Sequence, residues 1–370
     1  MKKILIVGAG FSGAVVAERL SQQANYKILI LESRDHIGGN CYTERDSETN
    51  IMEHKYGPHI FNTDNKHVWD YIQNFCEMKR FVNRVKSIYN GNVYSLPINL
   101  HTINQYYNKT LSPVEAKLFI EKIADRSIEN PSNFEEQALK FIGKDLYKAF
   151  FYGYTKKQWG CEPKDLPASI LKRLPVRFNY DDNYYTNPYQ GIPKDGYTSI
   201  FEKMLTHPSI EIKTNTNFNT TDDYSDFDTI IYTGPIDAYF NFKHGRLSYR
   251  TVEFEKHITT GDYQGNAVIN YADPEVPFTR IHEHKHFTPW ESHEKTIYFK
   301  EYSKETGVND IPYYPKRLSD DLQKLELYQA EIEELKNIHF IGRLATYRYM
   351  DMHQVIKEAL DLSELLIKNG

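Results

Sequence analysis

The chain has 370 residues and a formal net charge of −5. That length allows two or three structural units with ample core, and that charge argues against general nucleic-acid binding. Cys41, Cys76 and Cys161 are widely spaced with no C-x-x-C pair, so neither a disulfide framework nor a zinc site is expected, and a cytoplasmic location is. No stretch approaches the roughly 20 apolar residues of a membrane helix, so no membrane insertion is expected.

The opening residues read as an apolar strand, Lys3–Val7, then Gly8-Ala-Gly10-Phe11-Ser12-Gly13, a helix over Ala14–Gln23, and a second apolar strand, Lys27–Leu31, ending at Glu32. This is the pattern of a dinucleotide-binding βαβ unit. Gly8 permits the tight turn, Gly10 lets the backbone approach a pyrophosphate, and Gly13 lets helix and strand pack closely. The helix N-terminus presents free N–H groups to phosphate, and Glu32 can accept ribose hydroxyls. The alternative is a glycine-rich turn with no ligand. Ser33-Arg34 and Gly38-Gly39-Asn40 follow directly. A cation and a Gly-Gly pair after the ribose acid resemble the flavoprotein extension of the fingerprint, which favours FAD over NAD, although both contain ADP.

Further on, Gly57-Pro58-His59 forms a turn carrying a histidine, and residues 81–98 read as a hairpin turning at Asn90-Gly91. Ser112-Pro113 with Glu115 starts a helix through a capping box. Ser132–Tyr152 is predicted as one long helix, with Ala138, Phe141, Ile142, Leu146, Ala149 and Phe150 on its apolar face. Residues 180–196 show no helical period, whereas 196–205 do. Ile210–Thr216 and Thr229–Thr233 read as strands. Residues 250–302 hold several strand-like runs and predict an antiparallel sheet. Within them His282, His284 and His286 alternate, but no carboxylate stands at a suitable spacing, so no metal is expected. Asp320–Lys336 is a charged amphipathic helix, Ile338–Ile341 a strand and Met352–Lys368 the last helix. Tyrosine (29 residues), phenylalanine (20) and tryptophan (3) are abundant; most of them serve packing, but a phenol can also stack on a sugar or base and donate to phosphate.

Taken together, Gly8–Gly13, Gly57-Pro-His-Ile-Phe61, Tyr154-Thr-Lys-Lys-Gln-Trp-Gly160, Ile311-Pro-Tyr-Tyr-Pro315 and Gly342-Arg-Leu-Ala-Thr-Tyr-Arg-Tyr-Met-Asp351 resemble the bacterial UDP-galactopyranose mutase family over essentially the full length. The resemblance implies an α/β plus α+β fold. A Rossmann-type FAD-binding domain would be built from residues 1–78, 190–240 and 325–370, a helical bundle from 99–176, and an antiparallel sheet domain from 79–98, 177–189 and 241–324. It also implies interconversion of UDP-galactopyranose and UDP-galactofuranose with no net redox, reduced FAD N5 being the nucleophile at the anomeric carbon. A homodimer, an external reductant of unknown identity and a role in surface polysaccharide synthesis are implied as well.

On this resemblance Arg173 and Arg280 hold the diphosphate, for which the bidentate guanidinium is suited, and His59 lies against the flavin. Substrate contacts fall to Phe150, Phe151, Tyr154, Thr155, Trp159, Tyr184, Asn270, Tyr314, Tyr349 and Asp351. Cofactor contacts fall to Gly8, Gly10, Phe11, Ser12, Gly13, Glu32, Ser33, Arg34, Gly38, Gly39, Asn40, Gly57, Pro58, His59, Gly342, Arg343, Leu344, Tyr349 and Met352. The loop from Trp159 to Pro175 is expected to move Arg173 over the substrate. Each assignment has a plainer counterpart: surface arginines, packing aromatics, a satisfied loop histidine, and Asp351 as an N-cap. The alternatives for the whole chain are an FAD-dependent oxidoreductase of the amine oxidase type and a non-catalytic nucleotide-sugar or flavin sensor. The arginine and tyrosine set for a diphosphate separates the mutase from the oxidase.

Overall fold

The computed structural model describes residues 1–173 and 176–369; the side chains of Ser169, Lys172 and Arg173 lie outside the described residues. A five-stranded parallel sheet has the spatial order Ile210–Lys213, Tyr26–Leu31, Lys2–Val7, Thr229–Tyr232, Ile338–Phe340. Its apolar strands are the short continuous runs expected of a sheet covered on both faces. The helix Phe11–Ser21 covers one face and packs against the last helix, Met352–Lys368, through a core that includes Val15, Val16, Ile356 and Leu360. The first and last segments of the chain therefore share one fold. The helix begins at Phe11, with Gly10 as N-cap, which brings Ser12 and Gly13 of the fingerprint into its first turn rather than leaving them in the loop.

A seven-stranded sheet has the order Tyr314–Pro315, Tyr249–Thr260, Lys295–Glu305, Arg280–Glu283, Val268–Tyr271, Val85–Tyr89, Asn92–Leu96. It is antiparallel except where Val268–Tyr271 meets Val85–Tyr89. The hairpin at Asn90-Gly91 forms as predicted, both residues having positive φ. Tyr249–Thr260, the longest strand, pairs from Arg250 to Thr260 with Lys295–Glu305, and its Tyr249 pairs with Pro315. Residues 180–196, without a recognisable period, contain the strand Tyr189–Pro193 between Phe61–Thr63 and Met78–Arg80; five residues ending in proline are too few to show alternation. The helix Ser319–Glu333 runs unbroken across the boundary drawn before residue 325.

The long helix over 132–152 is corrected. Phe134–Tyr147 is broken at Gly143 (φ 74°, ψ 174°), and a wide π-turn over Lys148–Tyr152 follows, then the helix Gly153–Trp159. Close packing sets the break, since a Cβ on Gly143 would sit 2.4 Å from the carbonyl oxygen of Ile123. Phe141 is 48% exposed rather than on the apolar face, while the adjacent Phe150 and Phe151 of the π-turn are both buried. The alternation of His282, His284 and His286 also fails: the strand ends at Glu283, and His284–Phe287 is a 3₁₀ turn.

Candidate active site

The fingerprint loop lies at the C-terminal edge of the parallel sheet, the usual ligand crevice of such folds. Gly8 has φ 102°, and a Cβ there would meet Thr233 Oγ1 at 2.2 Å. A Cβ on Gly13 would lie 2.0 Å from the Gly8 carbonyl oxygen. Glu32 is buried and already shapes this loop: its carboxylate accepts the N–H of Ala9 (2.8 Å), the N–H of Arg34 (2.9 Å) and the Ser33 hydroxyl (3.3 Å). Oε1 takes the Arg34 and Ser33 bonds and Oε2 the Ala9 bond, which leaves Oε2 a further lone pair for ribose.

Gly38 and Gly39 both have positive φ, and a Cβ on Gly39 would lie 3.1 Å from Gly10 Cα. Arg34 donates through Nη2 to Asn40 Oδ1 (2.7 Å) and lies 4.3 Å above the Tyr56 ring, while its Nη1 is buried with no hydrogen-bond partner among the described residues. A buried cationic donor left open beside a glycine cradle suits an acceptor-rich ligand such as a dinucleotide pyrophosphate. Phe11 packs edge-on against Tyr197, and Met352 Sδ accepts from Cys41 at 3.6 Å.

The segment after strand Ile338–Phe340 closes over this loop. Gly342 has φ 86°, and a Cβ there would sit 2.3 Å from Ser12 Oγ. Arg343, a cofactor contact on the resemblance, bonds backbone: Nε and Nη2 donate to the Met350 carbonyl and Nη1 to the Tyr313 carbonyl (3.2 Å). Its charge lies 5.7 Å from the Tyr314 ring centroid and 5.3 Å from that of Tyr349, and those rings stack at 5.8 Å with 16° between planes. Tyr347, at φ 48°, and Arg317, at φ 56°, bond each other across the two segments. Positive φ at bulky residues is strained, and here it lies where Tyr313–Tyr314 is tied to the Gly342–Asp351 turn. Leu344 packs its side chain beside the cluster of Tyr249 and Tyr328. The Asp351 N–H donates to Gln354 Oε1 (2.8 Å) at the start of the last helix.

His59 donates from Nδ1 to the Gly57 carbonyl (2.8 Å), so the other ring nitrogen carries the lone pair. The ordinary imidazole pKa lies near neutrality. Close protein packing, with Arg343 and Arg280 nearby, outweighs the Gly57 bond and pushes it down to about 4, so His59 is a neutral imidazole at pH 7.

The sheet register builds the second part of the site. Ser87, Asn270, Arg280 and Glu301 are direct cross-strand partners and therefore share one face of the sheet. Arg280 donates through Nε to Glu301 Oε2 (2.8 Å), and Glu301 is buried. Burial opposes the Arg280 charge, but Glu301 reverses that and holds it firmly protonated. Tyr154 and Tyr314 lie within electrostatic reach of Arg280; burial pushes both phenols up, Tyr314 to about 12. A small cavity beside them is lined by Phe150, Phe151, Tyr154, Tyr184 and Asn270, with Leu96, Pro97, Ile98 and Val176.

Most of the proposed substrate residues thus meet in one cleft. Thr155 is buried in the helix, and Trp159 is half-buried at the edge of the core that contains Phe150 and Phe151. The Arg173 side chain lies outside the described residues. Glu301 is absent from the sequence-based set because no local spacing links it to Arg280; their contact exists only through strand register. Replacing Glu301 with glutamine should lower turnover roughly tenfold while leaving flavin content unchanged, since a hydrogen bond to a charged group contributes about 1.5–3 kcal/mol. Steady-state kinetics beside flavin absorbance measure this.

A Rossmann-type dinucleotide crevice joined to an arginine–tyrosine cleft defines the class: an enzyme that brings a nucleotide cofactor against an anionic substrate. Residues 149–349 match the family UDP-galactopyranose mutase, and residues 6–75 the NAD(P)-binding Rossmann-like domain. A Klebsiella pneumoniae protein named probable UDP-galactopyranose mutase is 55% identical over 98% of this chain and 94% of its own length. An Escherichia coli protein named dTDP-fucopyranose mutase is 50% identical over the full length of both chains. The crystal structure of a reduced UDP-galactopyranose mutase superposes with a TM-score of 0.79 over 100% of this chain and 94% of that one, at 16% identity; this shows the shared fold. The chain belongs to the UDP-galactopyranose mutase family. It is an enzyme of the isomerase type, and the family implies a flavin cofactor. Among the described residues, no helix is long and apolar enough to cross a membrane.

Proposed function

We propose that this chain interconverts UDP-galactopyranose and UDP-galactofuranose with FAD as cofactor, active in its reduced form. The observation that carries the reading is Arg280, oriented by Glu301 at 2.8 Å and flanked by Tyr154 and Tyr314. A diphosphate leaving group needs a fixed cation that stays charged, and this arrangement supplies one. Gly8, Gly10, Gly13, Glu32, Arg34, Gly38, Gly39 and Gly342 would hold the FAD. Reduced flavin, when bound, supplies a nucleophilic N5 for the anomeric carbon.

The remaining work falls to the chain's own residues. Arg280, with Arg173, neutralises the departing diphosphate and holds it for return. Tyr314, Tyr349 and Tyr184 donate to phosphate and sugar oxygens, and burial keeps the Tyr314 phenol neutral for that role. Phe150, Phe151, Tyr154 and Asn270 receive the base. His59, as a neutral imidazole, accepts a hydrogen bond at its free ring nitrogen beside the cofactor. A homodimer, and a division into FAD-binding, helical and sheet domains, belong to the same reading.

The full-length identity to the E. coli dTDP-fucopyranose mutase favours a second reading, the same ring contraction on a dTDP-6-deoxy sugar. The apolar lining from Leu96, Ile98 and Val176 would suit a thymine methyl group. Competition binding of UDP and dTDP to the yellow holoprotein tests both. Tighter UDP binding supports the first reading and tighter dTDP binding the second. Purified protein that is colourless and binds neither would contradict both.

A further inference from the structure

The helix Gly153–Trp159 carries Tyr154 into the cleft, while Asn270 and Arg280 stand opposite one another on strands Val268–Tyr271 and Arg280–Glu283. The connection between those strands, residues 272–279, forms no helix or strand. The Lys157 side chain enters it. Its Nζ lies within donor distance of four backbone carbonyls: Tyr271 (2.7 Å), Asp273 (2.9 Å), Val276 (2.9 Å) and Phe278 (3.0 Å). An ammonium has three N–H bonds, so this set saturates it. Burial pushes the group down to about 8, against Asp273 and Glu275, so it remains charged at pH 7.

Two further contacts show that helix and connection are fitted together. Gly153 lies one turn earlier on the same helix face, and a Cβ there would meet the Ala272 carbonyl oxygen at 2.1 Å and Pro274 Cδ at 3.1 Å. At the other end of the helix, buried Arg250 donates to the Lys157 (3.2 Å) and Gln158 (2.9 Å) carbonyls. The far side of the connection is tied to the neighbouring strand by Ala272 N–H to the Ile88 carbonyl (2.9 Å) and by the Asn90 N–H to the Asp273 carboxylate (3.1 Å).

We propose that Lys157 is a positioning residue for the nucleotide cleft, locking the 272–279 connection to the aromatic helix and so setting the spacing between Tyr154 and the Asn270–Arg280 pair. The proposal rests on the reading that this cleft takes a pyrimidine nucleoside diphosphate sugar. The carbonyls held by Lys157 flank both residues of the pair: Tyr271 follows Asn270, and Phe278 stands two residues before Arg280. Loss of the ammonium would leave four carbonyls to find water and free the connection to move, carrying Arg280 with it.

The test is UDP binding by titration of the holoprotein: wild type, K157M, K157R, R280A and the double variant K157M/R280A, with flavin content measured for each. K157M should weaken UDP about tenfold with flavin content unchanged, K157R should recover part of that loss, and K157M should add less than about twofold in the R280A background, because effects passing through one group are not additive. A merely structural lysine would lower flavin content and affinity together and would add its full effect to R280A. Wild-type affinity in K157M, or the full tenfold repeated on R280A, would overturn the proposal. Should K157M fail to fold, G153A pushes the same connection by an added methyl group and should weaken UDP likewise; unchanged affinity there would overturn it equally. A wild type that binds neither UDP nor dTDP would instead overturn the nucleotide reading, and this proposal with it.

Discussion

Replacing Arg280 with alanine should lower kcat/KM for the sugar nucleotide by roughly 10²–10³-fold, the scale seen when one preorganised stabiliser of developing charge is removed. The substitution also leaves Glu301 buried without its guanidinium partner, a carboxylate that must then find a proton or water. For that reason R280K is the informative companion. It keeps a charge for Glu301 but loses the two-pronged fork, so it should fold normally and recover only part of the activity. Flavin absorbance should be preserved in both variants, since the glycine cradle lies on the parallel sheet. Activity of R280A within about twofold of wild type would contradict the role given to Arg280.

The second large effect concerns acid. His54, His282 and His284 are fully buried behind the site, and His59 is packed at its edge. The backbone N–H of His59 donates to His54 Nδ1 (3.2 Å), and the backbone N–H of His54 donates to His284 Nδ1 (3.2 Å). Burial, the largest influence in each case, depresses all four. Neighbouring charge adds to it: Arg280, His284 and His54 around His282; His284 and His59 around His54; Lys256 and Lys55 around His284; Arg343 and Arg280 around His59. His284 falls to about 3 and His59 to about 4.

Folded-state values below that of the unfolded chain mean that the unfolded chain binds more protons at mildly acid pH. Stability is therefore complete above pH ~6.5 and is lost as pH falls toward 4 and then 3. His59 and His284 each cost about 2 kcal/mol between pH 7 and pH 5, together a large fraction of the usual net stability of a folded chain, and His54 and His282 act in the same direction. The carboxylates act lower: Glu283, held down to about 2 by donors that outweigh its burial, loses its contribution only below its ordinary range. Urea midpoints at pH 7.5, 6 and 5 should fall steeply with a constant slope. A midpoint unchanged from pH 7.5 to 5 would show that these histidines gain protons without cost.

What could be read from the sequence follows the range of the interactions concerned. The turn at Gly8–Gly13, the hairpin at Asn90-Gly91, the capping box at Ser112 and the span Met352–Lys368 are fixed by neighbours in the chain, and all were legible. The break at Gly143 was not, because its cause is the Ile123 carbonyl of another helix. Arg280 was named without Glu301, and Tyr154 without the carbonyl cage of Lys157, because those partners meet only through strand register and packing. The depressed pKa of His59 is not legible in the sequence either, because its burial and the two arginines near it belong to the folded chain. The same holds for Arg343, whose donors turn to the backbone of Met350 and Tyr313.

The measurement that tests the central claim most directly is turnover of UDP-galactofuranose by the purified holoprotein, with and without dithionite, with dTDP-fucofuranose run in parallel. The account predicts UDP-galactopyranose as product, formed only after reduction, with no net consumption of reductant per turnover. A reduced, bleached protein that converts neither sugar nucleotide would contradict it.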